Sequence, residues 1–563
     1  MTPCRDLGAW LALALLAASC RASEPTIDRA PPDARGSAPP VTPEPPPASP
    51  QTLPDRPLRP PAAVHAHERA MSRILGVAQP PPSFAPPPAE LSPWTAITLA
   101  PPEPADAGAK AGDASGTTGE ASPVVTPGEG VDDGDPEADA AGLLSAVPAY
   151  FVRVEPPSLA AFHGRLARLE PVDMADETAE DRGAGSTPAG EAAAAGEAPA
   201  APAGGEAPVA APATKVRVLM YGASGTAADI SVGYVRTYLQ DRFGDGGPGF
   251  IPLGRMNRWY RHSEVTVEAS KGWRKEHAQW KKGRLDGHYG LLGASFASKS
   301  KRDWVRVSPR RTPAPGPFTA ELHYLLQPGG GRFKVTYGDK TVELKTAADA
   351  LGPGFHTLEL PDGLTSIELR PRGDGEVRLF GVVLEAAGAG VVVDTLGING
   401  TRSANHLAWN EDVWAAALRR RAPDLITLSY GSNESVDVEE EIPMATYRAE
   451  LRTVLERLRR VAPAASCVLL LPTDFPLHEG DQLLPRARLR EIIDAQRAIA
   501  PELGCGLWDG MAFMGGFGAI REWVAATPPL ARDDYLHFTR QGGAIKGAAL
   551  SDALLLEYDW SRQ

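Results

Sequence analysis

Four short segments of this chain carry residue types that together could cleave an ester through a serine nucleophile. They are Gly222-Ala223-Ser224-Gly225, Gly397-Ile398-Asn399-Gly400, Gly431-Ser432-Asn433-Glu434 and Asp534-Tyr535-Leu536-His537. Such chemistry needs a hydroxyl to attack, an imidazole to take its proton, a carboxylate to hold that imidazole's tautomer, and donors aimed at the developing oxyanion. Ser224, His537 and Asp534 supply the first three, with backbone N–H groups at Ser224 and Gly397 and the Asn433 amide as donors. Asp533 is the weaker carboxylate candidate, one residue further from the imidazole. Three of the segments also have a plain structural reading. Ser224 could cap a helix, Gly431 and Asn433 could end a strand in a turn, and Asp534 with His537 could be a surface pair.

The elements around these segments predict how they are positioned. Lys215 to Gly222 is an apolar strand ending in glycine, followed by a helical stretch through Val232, Val235, Leu239 and Phe243. The same alternation returns later: strand 391–395, helix 409–420, strand 424–430, helix 447–458, strand 467–472, helix 486–500, strand 506–508. Apolar strands separated by amphipathic helices predict a parallel sheet covered on both faces, an α/β fold. Between the two halves, over residues 263–386, short alternating stretches bounded by Gly, Pro and Asp replace the helical period and predict a β-sandwich inserted into the α/β domain. Leu159, Phe162, Leu166 and Leu169 lie at helical spacing and predict an amphipathic helix that belongs to the catalytic fold.

In chain order and strand-end setting, these residues resemble the SGNH, or GDSL-like, hydrolases. The resemblance is nearest to the branch with peptidoglycan O-acetylesterases, in which a jelly roll similar to carbohydrate-binding modules interrupts the catalytic domain. Residues 239–250, the Gly397 block and Trp508-Asp509-Gly510-Met511 carry it beside the four segments. It implies a flavodoxin-like α/β/α domain with Ser224, Asp534 and His537 as catalytic residues and Ser224, Gly397 and Asn433 as the oxyanion hole. Two positions depart from the family pattern. Ala223 stands where an aspartate often precedes the serine, and Glu434 where an aspartate often follows the asparagine.

The rest of the chain bears on place and partner. Arg5 and the apolar run Leu7 to Ala18 read as a signal peptide, too short for a stable transmembrane anchor. Its end, Leu16-Ala17-Ala18-Ser19-Cys20, resembles a bacterial lipoprotein cleavage box with Cys20 as the lipidated residue. The expectation is export to the bacterial cell envelope, lipid-anchored in the outer membrane or periplasm, with secretion as the alternative. A Pro/Ala-rich stretch follows that cannot support helix or sheet and is expected to be a disordered tether. The expected organisation is signal peptide 1–19, tether 20–150, first hydrolase part 151–262 with a disordered loop at 176–213, sandwich 263–386, and second hydrolase part 387–563.

Cys467 and Cys505 lie at predicted strands and are open to either a disulfide or two buried thiols. The formal net charge is −13, yet residues 255–311 hold 15 Lys/Arg against 5 Asp/Glu, interleaved with Trp259, Trp273, Trp280 and Trp304. A solvated face is the plain reading of that run and an anion-facing surface the sharper one. No metal or cofactor is needed for the chemistry, and export out of the cytoplasm argues against nucleic acid as a partner. The expected substrate is an acetylated cell-envelope polysaccharide, peptidoglycan foremost by resemblance. Alternatives are another acetylated polysaccharide, a lipid ester, or a non-catalytic glycan-binding envelope lipoprotein.

Overall fold

The computed structural model describes residues 59–88, 90–99, 147–154, 159–169 and 215–562, apart from 255, 258, 280–282, 311–316 and 364–365. The signal peptide, Cys20, most of the expected tether, the 176–213 loop and Trp280 lie outside the described residues.

The first element among the described residues is a helix that the sequence reading had placed inside the tether. α1 spans Pro61–Leu75, opens on a proline in its first turn and closes at Gly76, whose φ of 75° is left-handed. Proline at a helix start and glycine just past its end fit the chemistry of those termini. Ala63, Ala66, Ala70, Met71 and Ile74 form a buried stripe in the main core. The tether expectation therefore fails over α1, because a stripe built largely of alanine buries well against flat neighbours while scoring weakly as apolar. The neighbours are later helices. β1 (Ile97–Thr98) follows, then α2 (Ala160–Leu166), which buries Phe162 and Leu166 as its spacing predicts.

β2 (Lys215–Gly222), α3 (Ser224–Ala227) and α4 (Ile230–Phe243) begin the α/β domain. Next comes β3 (Gly249–Pro252), which pairs antiparallel with a strand more than a hundred residues later and so belongs to the sandwich. The sandwich thus takes in chain before residue 263. Its remaining strands are β4 (Val265–Ala269), β5 (Arg274–His277), β6 (Ala294–Ser298), β7 (Val305–Pro309), β8 (Phe318–Leu326), β9 (Arg332–Tyr337), β10 (Lys340–Lys345), β11 (Gly352–Leu360), β12 (Ile367–Pro371) and β13 (Val377–Ala386). They form two antiparallel sheets, β10-β9-β12-β7-β4 and β11-β8-β13-β6-β5, with β3 added beside β13. Alternate residues such as Val305, Val307, Val335, Leu369 and Leu379 meet between the sheets in one apolar cluster, as inward-facing positions of a sandwich do.

The chain returns to the parallel sheet through β14 (Gly390–Gly397), α5 (Glu411–Arg421), β15 (Leu425–Ser429), α6 (Met444–Val461) and β16 (Ser466–Leu470). A hairpin of β17 (Leu477–Glu479) and β18 (Gln482–Leu484) leads into α7 (Ala487–Glu502), β19 (Gly506–Trp508), α8 (Gly510–Met514), α9 (Ile520–Ala525) and α10 (Arg540–Trp560). The sheet runs β14-β2-β15-β16-β19, all parallel. Counted from β2, this is the flavodoxin-like order 2-1-3-4-5, whose ligand sites lie at the carboxyl ends of the strands where the order reverses.

Period-2 alternation along β2 divides the core. Val216, Val218 and Met220 face a cluster with α1, α4 and α10 residues, while Leu219 and Tyr221 face one with α5, α6 and α7 residues. Helix α1 lies on α4 and α10 and fastens to both. His67 Nε2 contacts Asp552 Oδ1 at 2.8 Å, Tyr234 OH contacts His67 Nδ1 at 2.9 Å, and Arg59 donates to Asp552 at 2.7–3.1 Å. Burial lowers the His67 pKa, so the neutral ring accepts from Tyr234 and donates to Asp552.

Two covalent or ionic ties complete the frame. Cys467 in β16 is bonded to Cys505, the residue before β19, which settles the cysteine alternatives in favour of the disulfide. Sandwich and parallel sheet share a buried ion network. Glu385 of β13 accepts from Arg217 of β2 and Arg421 of α5, and Arg421 also holds Asp394 of β14. Burial opposes the charge on Glu385, but both guanidinium groups overcome it and hold its pKa at about 2.

Candidate active site

Strand β2 carries the chain to Gly222 at the carboxyl edge of the sheet, between Gly397 at the end of β14 and Ser429 at the end of β15. A side chain at Gly222 would lie 2.1 Å from Thr226 Oγ1, so the turn into α3 closes only on glycine. Gly397 is held to the same rule, since its Cβ would lie 2.2 Å from the Ala227 nitrogen of α3. Ala223, not Ser224, occupies the cap position of α3 and makes no side-chain cap bond. The helix-cap reading of Ser224 therefore gives way, and its hydroxyl is engaged elsewhere.

Ser224 Oγ lies 2.8 Å from His537 Nε2, and His537 Nδ1 lies 2.5 Å from Asp534 Oδ2. Asp534 Oδ1 also accepts from the backbone N–H groups of Leu536 and His537, at 3.0 and 2.9 Å. The Asp-x-x-His spacing thus folds into a turn in which one carboxylate both builds the turn and orients the ring. Burial works against ionisation of Asp534, yet the hydrogen bond and charge of His537, together with those backbone donors, bring its pKa below the ordinary value. With Asp534 accepting at Nδ1, the proton on the ring sits there and Nε2 is free to accept from the serine. Asp533 makes no such contact with His537 among the bonds described.

The Gly397 and Asn433 segments meet through their polar neighbours. Asn433 Nδ2 donates to the Thr401 carbonyl at 3.0 Å, and Thr401 Oγ1 donates to the Ile398 carbonyl at 2.6 Å. Buried Glu434 accepts from Ser403 N at 2.8 Å, Ser403 Oγ at 3.1 Å and Gly431 N at 2.9 Å. Arg402 closes the set with a bidentate pair to Asp437, at 3.0 and 2.9 Å from Nε. A primary amide has two N–H groups, so Asn433 keeps one beyond the Thr401 bond. The sequence reading treated Glu434 only as a departure from a pattern. Its reach to Ser403 and Gly431 makes it the brace between two loops, and burial holds its carboxyl above the usual range. Thr401, Arg402 and Asp437 were missed, and a polar run following the Gly397 block is the only sequence signal they leave.

The basic run resolves into different fates. Arg274 and Arg284 pair with Glu276 and Glu376, Arg306 with Glu368, and Arg310 donates to the carbonyls of His262 and Val265. Trp273 donates its indole N–H to the Trp304 carbonyl. Lys271, Lys299, Lys301 and Arg302 are exposed on two neighbouring turns. Three described arginines of the run are thus paired with glutamates, and Arg310 is held by backbone carbonyls.

Residues 365–545 match the model of the GDSL-like lipase/acylhydrolase family. The match holds Gly397, Asn433, Asp534 and His537; Ser224 lies ahead of it, beyond the inserted strands. No curated protein matches the sequence. Among solved structures, a peptidoglycan O-acetylesterase is similar at 22% identity over 62% of this chain and 92% of its own, with a TM-score of 0.51. A family two carbohydrate esterase from Cellvibrio japonicus shares 14% identity over 53% of this chain and 99% of its own, with a TM-score of 0.22. A salicylyl-acyltransferase from a tetracycline biosynthetic pathway shares 16% over 54% and 93%, with a TM-score of 0.24. The first of these likenesses shows a shared fold.

Proposed function

From the premise that this chain carries a GDSL-like hydrolase domain acting on carboxylic esters, we propose that it removes acetyl groups from a cell-envelope polysaccharide, peptidoglycan foremost. The observation that carries the reading is the relay Ser224 Oγ, His537 Nε2, Nδ1, Asp534, at 2.8 and 2.5 Å.

In the proposed mechanism Ser224 Oγ attacks the acetyl carbonyl as its proton passes to His537 Nε2, and Asp534 stabilises the imidazolium. The backbone N–H groups of Ser224 and Gly397 and the second N–H of Asn433 hold the oxyanion. Collapse breaks the C–O bond to the sugar, whose oxygen takes the proton from His537, leaving an acetyl-serine. Water, deprotonated by His537, then attacks that ester, and acetate leaves as Ser224 regains its proton.

Polysaccharide is favoured as substrate by the inserted sandwich, which is fixed to the catalytic sheet by the Glu385–Arg421–Asp394 network. The sandwich is proposed to hold glycan, and the exposed Lys271, Lys299, Lys301 and Arg302 suit an anionic wall polymer. The solved peptidoglycan O-acetylesterase with this fold also supports the reading. We propose further that the chain is exported and anchored through a lipid on Cys20; metabolic labelling with a palmitate analogue, lost in Cys20→Ala, tests that.

The function is tested by a chromogenic acetate ester, a fluorophosphonate probe, and acetate release from O-acetylated peptidoglycan compared with acetylated xylan. Absence of probe on Ser224, or equal turnover by Ser224→Ala, would sink the esterase reading. Faster release from xylan would move the substrate away from peptidoglycan.

A further inference from the structure

The turn that carries the catalytic histidine contains an aromatic residue in a costly conformation. Tyr535 has φ of 52°, the left-handed region, where a non-glycine residue is strained. The turn itself explains that backbone, since Asp534 Oδ1 gathers the N–H groups of Leu536 and His537. It does not explain a tyrosine, because glycine or asparagine would meet the requirement with less strain.

The Tyr535 ring packs partly against the main apolar core and also meets His478, with ring centroids 4.9 Å apart. His478 is exposed at the middle of β17, the outer strand of the sheet β1-β18-β17. A two-stranded hairpin alone is marginal in water, and a third strand makes it persist. That third strand is β1, contributed by the amino-terminal segment through Ile97 and Thr98. Trp94 of the same segment stacks on Phe517 at 5.4 Å. A remote part of the chain therefore holds His478 in place against the catalytic turn.

The chemistry says what belongs there. In ester hydrolysis the leaving alcohol takes its proton from the histidine, so the alcohol part of the substrate lies on the His537 side of Ser224, while the carbonyl oxygen lies toward the oxyanion donors. For an acetylated glycan the alcohol part is the sugar. The C–H faces of a pyranose carry slight positive charge and pack on the negative face of an aromatic ring.

We propose that Tyr535 and His478 form an aromatic subsite that stacks a pyranose ring of the glycan chain beside the catalytic turn, and so select carbohydrate alcohols. The proposal rests on the acetylated-glycan reading above. It is tested by measuring kcat/KM of the full chain on O-acetylated peptidoglycan fragments and on a small chromogenic acetate. His478→Ala and Tyr535→Gly, which suits the left-handed backbone, should lower the ratio of the two values about tenfold, chiefly through KM on the fragments, as loss of ~1.4 kcal/mol of stacking would. Tyr535→Phe should keep the ratio within about twofold, since it retains the ring face. An unchanged ratio, or an equal fall on both substrates, overturns the subsite and leaves the esterase reading standing. Failure of the unaltered protein to release acetate from the fragments while it turns over the small ester removes the glycan reading and the subsite with it.

Discussion

The side-chain amide of Asn433 donates to the carbonyl oxygen of Thr401 at 3.0 Å, tying the loop after β15 to the loop after β14. The bond fixes the amide plane, so that in the proposed mechanism the second N–H is oriented toward the oxyanion before substrate arrives. Preorganisation of this kind is why one donor is worth so much in a dry site. Asn433→Ala should lower kcat on a chromogenic acetate by about 100- to 1000-fold with little change in KM. A loss that appears mainly in KM would show that Asn433 binds the ground state instead.

In the proposed mechanism Asp534 acts through His537, whose Nδ1 it contacts. Asp534→Asn keeps a side chain of the same shape but can present an N–H to Nδ1, favouring the tautomer with its proton on Nε2, which cannot accept from Ser224. A fall in kcat of roughly 10⁴-fold is expected, the size seen when a triad carboxylate becomes an amide. Retained turnover would point to another carboxylate, with Asp533 the nearest in sequence to test.

How much of this was legible follows from where each residue stands. Ser224, Gly397, Asn433 and the Asp534–His537 pair were readable because each ends a strand or closes a short turn, and the strands alternate with helices at plain periods. Glu434 was legible only as an irregularity, since its partners Ser403 and Gly431 are joined to it by folding rather than by spacing. Helix α10 left no periodic signal because it is buried on nearly all sides, with α4 on one flank and α1 on another. A helix enclosed in this way loses its polar stripe. Helix α1 was hidden by proline-rich surroundings, although Pro61 and Gly76 marked its two ends.

That helix yields a prediction about stability. Met71, Ile74 and Leu75 are buried with Ala66 and Ala70 in the main core, and large apolar side chains contribute about 1.5–3 kcal/mol each on burial. A chain beginning at residue 147 should therefore be several kcal/mol less stable than one beginning at residue 50. It would also expose the Asp552 carboxylate without Arg59 and His67. Thermal melting compares the two, and equal midpoints would show that α1 rides on the surface without supporting it.

The disulfide between Cys467 and Cys505 closes a loop with a sequence separation of 38. By loop entropy such a closure stabilises by about 3–4 kcal/mol. Cys467→Ser with Cys505→Ser should lower the denaturation midpoint by a corresponding amount, and a reductant should lower that of the unaltered protein but not of the variant. Insensitivity of both to reductant would mean that the thiols are free in the isolated protein.

Asp474, in the loop after β16, supplies a pH dependence with a definite sign. One carboxylate oxygen accepts from Ile520 N at 3.1 Å at the start of α9, and the other is buried with no hydrogen-bond partner among the described residues. Burial raises its pKa to about 7, against the lowering effect of backbone donors at Ile520 and Gly518. A carboxyl whose folded pKa lies above its unfolded value favours the fold fully below the unfolded pKa of about 4. That contribution falls as pH rises and is lost through the folded value near 7. Asp474→Asn removes the titration while keeping an acceptor for Ile520 N. The melting temperature of the variant minus that of the unaltered protein should therefore grow between pH 5 and pH 7 and level off above about pH 7.5, where Asp474 is charged in both states. Other groups titrate alike in the two proteins and cancel in the difference. A difference that stays flat across this window would mean that the unpartnered oxygen is solvated and the carboxyl ionises at an ordinary pH.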